Sequence, residues 1–196
     1  MSAAVVLAAC GGGEAGKEDL STTVPASMGP TAPTEQSDLE AFLDDNEVES
    51  RTISKILETS KLYSTFFEVL SEAELTSLLD GSGPFTVFVP ARGAFTSLPA
   101  GVLDELLRPE NREALLEILR YHIVEGDYRI PDIANGDLTS LQGSRISVEY
   151  FETMNFMETL KVNGRFVVIP NLKAANGTMH IINWLMVPPG VDLNAL

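Results

Sequence analysis

The sequence predicts an α+β fold, and three observations carry the prediction. Apolar residues recur with helical spacing in the first part of the stretch Thr52 to Pro189 and with strand alternation in the second. The two patterns do not interleave as a doubly wound parallel sheet requires. The stretch holds about 138 residues, near the usual size of one domain and enough to bury a core.

The elements follow in chain order. Ile53, Ile56 and Leu57, then Tyr63, Phe66, Phe67 and Leu70, stand three and four residues apart and line one face of successive helical turns. Ser71 and Glu74 have the spacing of a capping box before Leu75, Leu78 and Leu79, with Gly81 as a stop. Phe85 to Val89, "FTVFV", reads as a buried strand between "GSGP" and Pro90. Val102, Leu103, Leu106 and Leu107 mark another helix, and a further one runs from Pro109 through Leu115, Leu116 and Leu119. From Tyr121 the period changes: "YHIVEGDYRI" begins a strand and Ile146, Val148 and Tyr150 alternate. "LKVNGRFVVI" is a hairpin turning at Asn163-Gly164, and "NGTMHIINWLMVPP" opens on a second Asn-Gly turn and continues as an apolar strand toward Pro188 and Pro189.

Ahead of this stretch the composition is different. Leu7-Ala8-Ala9-Cys10 resembles a bacterial lipobox, at which a leader is cut and the new amino-terminal cysteine is acylated. On that resemblance residues 1–9 are expected to be part of a signal, with its charged beginning expected upstream of Met1, since no Lys or Arg precedes Lys17. Cys10 is the chain's one cysteine, so it has no disulfide partner within the chain and no companions for a structural zinc site. Acyl chains there would anchor the protein, since each buried methylene contributes about 0.8 kcal/mol. Gly11 to Arg51 is rich in Gly, Ser, Thr and Pro and carries ten acidic against two basic residues, a composition expected to be a disordered, extended tether. Leu39 to Val48 is expected to form at most a helical turn or two. Residues 10–51 are therefore read as lipidated cysteine and tether, 52–190 as the domain and 191–196 as a short tail.

Charge and residue types limit the chemistry. With 28 acidic against 13 basic residues and a net charge of -15, the chain lacks the basic stripe that nucleic-acid binding requires. Its two histidines, His122 and His180, lie far apart inside apolar stretches, without metal-ligand spacing. Gly81-Ser82-Gly83-Pro84 precedes a strand and not the helix amino terminus that a phosphate loop needs. Asp104, Glu105, Glu113 and Glu117 read as a solvated helix face. No catalytic residue, metal or cofactor is assigned.

Three segments together resemble the fasciclin domain family: "GPFTVFVPARGAF" (Gly83 to Phe95), "LRYHIVEGDY" (Leu119 to Tyr128) and "NGTMHIINWLMVPP" (Asn176 to Pro189). The resemblance, which also takes in the opening "TISKILETSKLYSTFFEVLSEAEL", implies a wedge of β-sheets with helices packed around its edge. It implies a secreted or surface-attached adhesion module, not an enzyme, that binds a surface or matrix protein or a polysaccharide. Tyr121 and His122 take the place of the family's Tyr-His pair, which animal members are held to use in cell binding. Ile169, Pro170, Asn171 and Leu172 stand where some animal members carry a Pro-Asp-Ile adhesive peptide, with an amide at Asn171 in place of the acid. Ala91, Arg92 and Asn183 also depart from the family's usual residues. The expectation is an adhesion module anchored in a bacterial cell envelope through Cys10 and facing the periplasm or exterior. The alternative is an envelope lipoprotein binding a small ligand between helices and sheet.

Overall fold

A computed structural model describes residues 49–130, 133, 136–152 and 158–193. The leader, Cys10, the acidic tether through residue 48 and the short helix expected within it lie outside the described residues.

Helices come first. Thr52 caps α1 (Ile53–Thr59), its hydroxyl accepting from the Lys55 amide, and α2 (Ser64–Glu72) follows. The expected capping box does not form. Ser71 stays inside α2, and Glu74, at φ 59°, is the left-handed residue that ends it. The Leu75 amide bonds Leu70 O at 2.9 Å and the Glu74 amide bonds Ser71 O at 3.0 Å, a Schellman closure that consumes the carbonyls at the end of α2. The closure sets up α3 (Thr76–Leu79), whose N-cap Leu75 makes no side-chain bond. Next are β1 (Phe85–Pro90), α4 (Arg92–Thr96), α5 (Val102–Leu106), a 3-10 turn (Pro109–Asn111) and α6 (Arg112–Tyr121). The α4 turn is absent from the periodicity reading because it is too short to show a repeat.

The strands are β2 (Ile123–Glu125), β3 (Gly136–Thr139), β4 (Arg145–Glu152), β5 (Glu158–Val162), β6 (Arg165–Phe166), β7 (Ile169–Ala174) and β8 (Gly177–Ile182). They form two four-stranded sheets, ordered β2-β1-β8-β7 and β3-β4-β5-β6. In the first, β1 and β8 are parallel and the outer pairs antiparallel; the second is an antiparallel meander. Three strand expectations change. Tyr121 and His122 belong to the end of α6, so the strand after them has only three residues. The strand into Pro188 stops at Ile182. Beyond Ile169, where the expected hairpin ends, the chain continues as strand to Ala174, interrupted by a bulge between Ile169 and Leu172.

Side-chain alternation on β1 separates two cores. Val87 and Val89 face the helices with Ile53, Phe66, Leu70, Leu119, Met179 and Ile181, while Phe88 faces the second sheet with Ile146, Val148, Leu160, Val162, Ile182 and Trp184. The first sheet therefore lies between a helical layer and the meander. The two sheets are tied at two places: the Val167 amide donates to Leu160 O in the meander and the next amide, Val168, to Ile181 O in the first sheet, and the Leu141 amide, just past β3, donates to Ile123 O in β2, all at 2.8 Å.

Candidate functional site

The Tyr-His pair closes α6 facing inward. Tyr121 is 3 % exposed; its hydroxyl donates to Arg145 O at 2.9 Å and accepts from the Asn163 amide nitrogen at 3.1 Å. His122 is wholly buried. The Met186 amide donates to Nε2 at 3.0 Å, which leaves the proton on Nδ1, 2.8 Å from Ile118 O. Burial pushes the ring down to about 4 despite the Ile118 carbonyl, so it is a neutral strut between α6 and the final turn.

His180 is built in the same way with the tautomer reversed. The Asn171 amide donates to Nδ1 at 3.3 Å and Nε2 donates to Tyr128 O at 2.9 Å. Its ring stacks on Phe88 at 5.5 Å, and burial again lowers its pKa to about 4, against the opposing effects of Tyr128 O and the Asp127 charge.

His180 is one of four side chains that hold residues 126–130 across the first sheet. The Thr86 hydroxyl donates to Gly126 O at 2.7 Å and accepts from the Tyr128 amide at 2.9 Å. The Thr178 hydroxyl meets Asp127 Oδ1 at 2.5 Å, and the Arg129 guanidinium closes on the same carboxylate. The Arg129 hydrogen bond, then Thr178 and the Arg129 and Lys173 charges, hold the Asp127 carboxyl below its usual range in spite of partial burial. Asn171, at φ 60° in the β7 bulge, completes the strap: Oδ1 accepts from the Ile130 amide at 2.9 Å and Nδ2 donates to Ile130 O at 3.0 Å. An amide can do both and a carboxylate cannot, which explains Asn171.

Tyr121 and His122 thus spend their polar atoms inside the domain, and Asn171 spends its side chain on Ile130. Ile169, Pro170 and Leu172 are half-buried, with Ile169 and Leu172 packed against the helix-side core. The structure brings His180 and Asn171 together and keeps Tyr121 and His122 elsewhere, at the end of α6. What β6 and the following turn present outward is Phe166, 56 % exposed, and Val168, 54 % exposed. The Lys161 ammonium lies 4.6 Å from the Phe166 ring centre. Sequence reading passed over these two, although alternation about the inward Val167 was a usable signal in "RFVVI". The strap residues carried no comparable signal, since Thr86 and Thr178 reach residues 126–129 across 40 to 51 positions.

Surface depressions of about 560 Å³, lined by Glu125, Tyr128, Asp137 and Leu138 among others, and about 620 Å³, around Gly81 to Phe85, are hollows open to solvent. Among the described residues no group of three or more His, Cys, Asp or Glu is placed to hold a metal, and no helix is long and apolar enough to cross a membrane.

Fold and site together define a class: an α+β domain with two sheets, helices on one side and its histidines used as internal struts. The fasciclin domain model matches residues 61–188, and the chain belongs to the fasciclin family, an adhesion fold without catalytic activity. Protein sll1483 of Synechocystis sp. is 34% identical over 138 residues, covering 70% of this chain and 74% of that protein. Protein sll1735 of the same organism is 33% identical over 132 residues, covering 67% of this chain and 93% of that protein. Among solved structures, a FAS1 domain pair from the insect cell adhesion molecule fasciclin I superposes with a TM-score of 0.62 at 17% identity, over 71% of this chain and 52% of that one. At that identity the likeness concerns the fold alone, and the chain spans about half of the insect pair.

Proposed function

We propose that this chain is an adhesion module whose contact surface is the outward corner formed by Phe166 and Val168 and continued by Ile169, Pro170 and Leu172. The exposure of Phe166 and Val168 is the observation that carries this reading. In this reading Tyr121 and Asn171 act indirectly, by fixing the hairpin and the bulge between which the corner lies, and His122 acts only by tying the end of α6 to the Met186 amide. The partner is a surface or matrix protein, or a polysaccharide. Its contacts are apolar with a nearby cation at Lys161. The module is held to a bacterial envelope through an acylated Cys10, and the acidic segment up to Arg51 serves as the spacer. Attachment of many copies to one surface converts weak single contacts into avidity through effective concentration.

The test is capture from envelope and matrix extracts by the full chain displayed densely on beads, beside a Phe166→Ser/Val168→Ser variant with unchanged circular dichroism. Specific capture by the parent chain, lost in the variant, is the expected result; equal capture by both would move the contact surface elsewhere. Mass spectrometry of protein extracted from the native membrane checks the anchor separately, and an unmodified Cys10 would remove it.

A further inference from the structure

The chain contains three Asn-Gly dipeptides, Asn135-Gly136, Asn163-Gly164 and Asn176-Gly177, and the asparagine of the first lies outside the described residues. An asparagine followed by glycine can lose its side-chain amide, because the next main-chain nitrogen is unhindered and can reach the side-chain carbonyl carbon. The fold treats the other two in opposite ways.

Asn176 is 6 % exposed and joined to three segments. Its Nδ2 donates to Leu79 O at 2.7 Å and Gly81 O at 2.8 Å, and its Oδ1 accepts from the Ile53 amide at 2.9 Å. Gly177 sits so close to β1 that an added Cβ would fall 1.8 Å from Phe85 O. Ring closure there requires pulling α1, α3 and β1 apart. Asn163 is exposed, at the tip of the β5–β6 hairpin. Asn163 and Gly164 both have positive φ, 49° and 78°, and nothing stands within 4 Å of a Cβ built on Gly164. Its main-chain amide donates to Ser147 O at 2.9 Å, and two hydrogen bonds restrain its side chain, from Nδ2 to the Tyr121 hydroxyl at 3.1 Å and from the Ser147 amide to Oδ1 at 3.0 Å. Opening the hairpin tip releases both.

We propose that Asn163 is a self-modification site, where deamidation removes the amide that helps hold Tyr121. The Gly164 nitrogen bonds to the Asn163 side-chain carbonyl carbon, the bond from that carbon to Nδ2 breaks, and ammonia leaves with the Gly164 amide proton. Water then opens the cyclic imide at either carbonyl, giving aspartate or its β-linked isomer. No oxidant or reductant takes part. Either product replaces the donor that faces the Tyr121 hydroxyl with a carboxylate, which has no proton to give. The β-linked product also lengthens the main chain by a methylene in a two-residue turn, which disturbs the pairing of Lys161 with Phe166 and of Val162 with Arg165. The modification itself does not depend on the contact surface proposed above.

The experiment is peptide mapping of the folded full chain after prolonged incubation in mildly alkaline buffer, with aspartate and its β-linked isomer separated before mass spectrometry. Asn163 is expected to convert at least about tenfold faster than Asn176, which reacts only through opening of the core. Equal rates at the two sites would overturn the proposal. So would an Asn163 that keeps its amide in the folded chain while the same dipeptide converts in urea. A second measurement uses Asn163→Asp, which should lower Tm by a few degrees, beside Asn163→Gln, which should stay unconverted in the map. An Asp variant as stable as the parent chain would overturn the stated role of the amide at Tyr121.

Discussion

His122 and His180 show how a titratable residue becomes a packing unit. Each ring has one nitrogen donating and one accepting, so each is satisfied only when neutral, and protonation would place a second donor against an amide N–H. The folded rings titrate near 4 and the unfolded ones near 6.5, so at intermediate pH the unfolded chain binds more protons. Stability from these groups is therefore full above pH 6.5, falls as pH drops toward about 4 and then levels off, by on the order of 3 kcal/mol per ring. Urea unfolding midpoints measured across that window should fall with pH, and midpoints that stay constant through it would contradict the assignment. His122→Gln should reduce the slope, because the amide does not titrate.

At the scale of elements, the strap and the parallel strand pair depend on single side chains. Thr86 is buried in β1 and serves residues 126–128 through one hydroxyl. Thr86→Val keeps the shape and leaves Gly126 O and the Tyr128 amide without that partner, a loss of about 2 kcal/mol. Amide exchange at Tyr128 should accelerate while exchange in α2 stays slow; an unchanged Tyr128 rate would mean that the strap is held by Asp127, His180 and Asn171 alone. Gly177 poses a harder limit. Its α-carbon lies so close to Phe85 O, at φ 151°, that Gly177→Ala must displace backbone where β8 begins its parallel pairing with β1. The cost should be about 3 kcal/mol or more, read as a lower thermal midpoint, and a variant as stable as the parent would show that β1 can shift.

For the whole molecule, the central pair β1 and β8 contributes to both cores, Val87, Val89, Met179 and Ile181 on the helix side and Phe88 and Ile182 toward the meander. Neither core can dissolve and leave the shared strands packed on both faces. Unfolding should therefore be one cooperative transition, with Trp184 fluorescence, which reports the inter-sheet core, coinciding with far-ultraviolet circular dichroism, which is weighted toward the helices. Phe66→Ala and Leu160→Ala, in different cores, should each move that single transition by about 3–5 kcal/mol and 2–5 kcal/mol respectively. Separate transitions in either variant would show that the layers are independent.

Local patterns, apolar spacing together with turn residues, determined the α+β class, the helical stripe from Ile53 to Leu70, strand β1 and the Asn163-Gly164 hairpin. Those features depend on neighbours within a few residues, where spacing specifies which side chains share a face. The resemblance read in three quoted segments also pointed to the right family. The ends of elements were less legible: Ser71 and Glu74 had the pattern of a cap but became the end of α2, since the Schellman bonds are decided by how the chain turns there. The roles of the candidate residues were least legible. Whether Tyr121 and His122 meet a partner or the interior depends on Arg145, Asn163 and Met186, which are brought beside them by sheet pairing and not by sequence proximity. Asn171 shows the same limit: its amide is explained only by Ile130, 41 positions away, whose carbonyl needs a donor and whose amide needs an acceptor. Sequence determined which chemistry each side chain has, and tertiary structure decided whether that chemistry faces inward, because hydrogen-bond partners are assigned by distance in space.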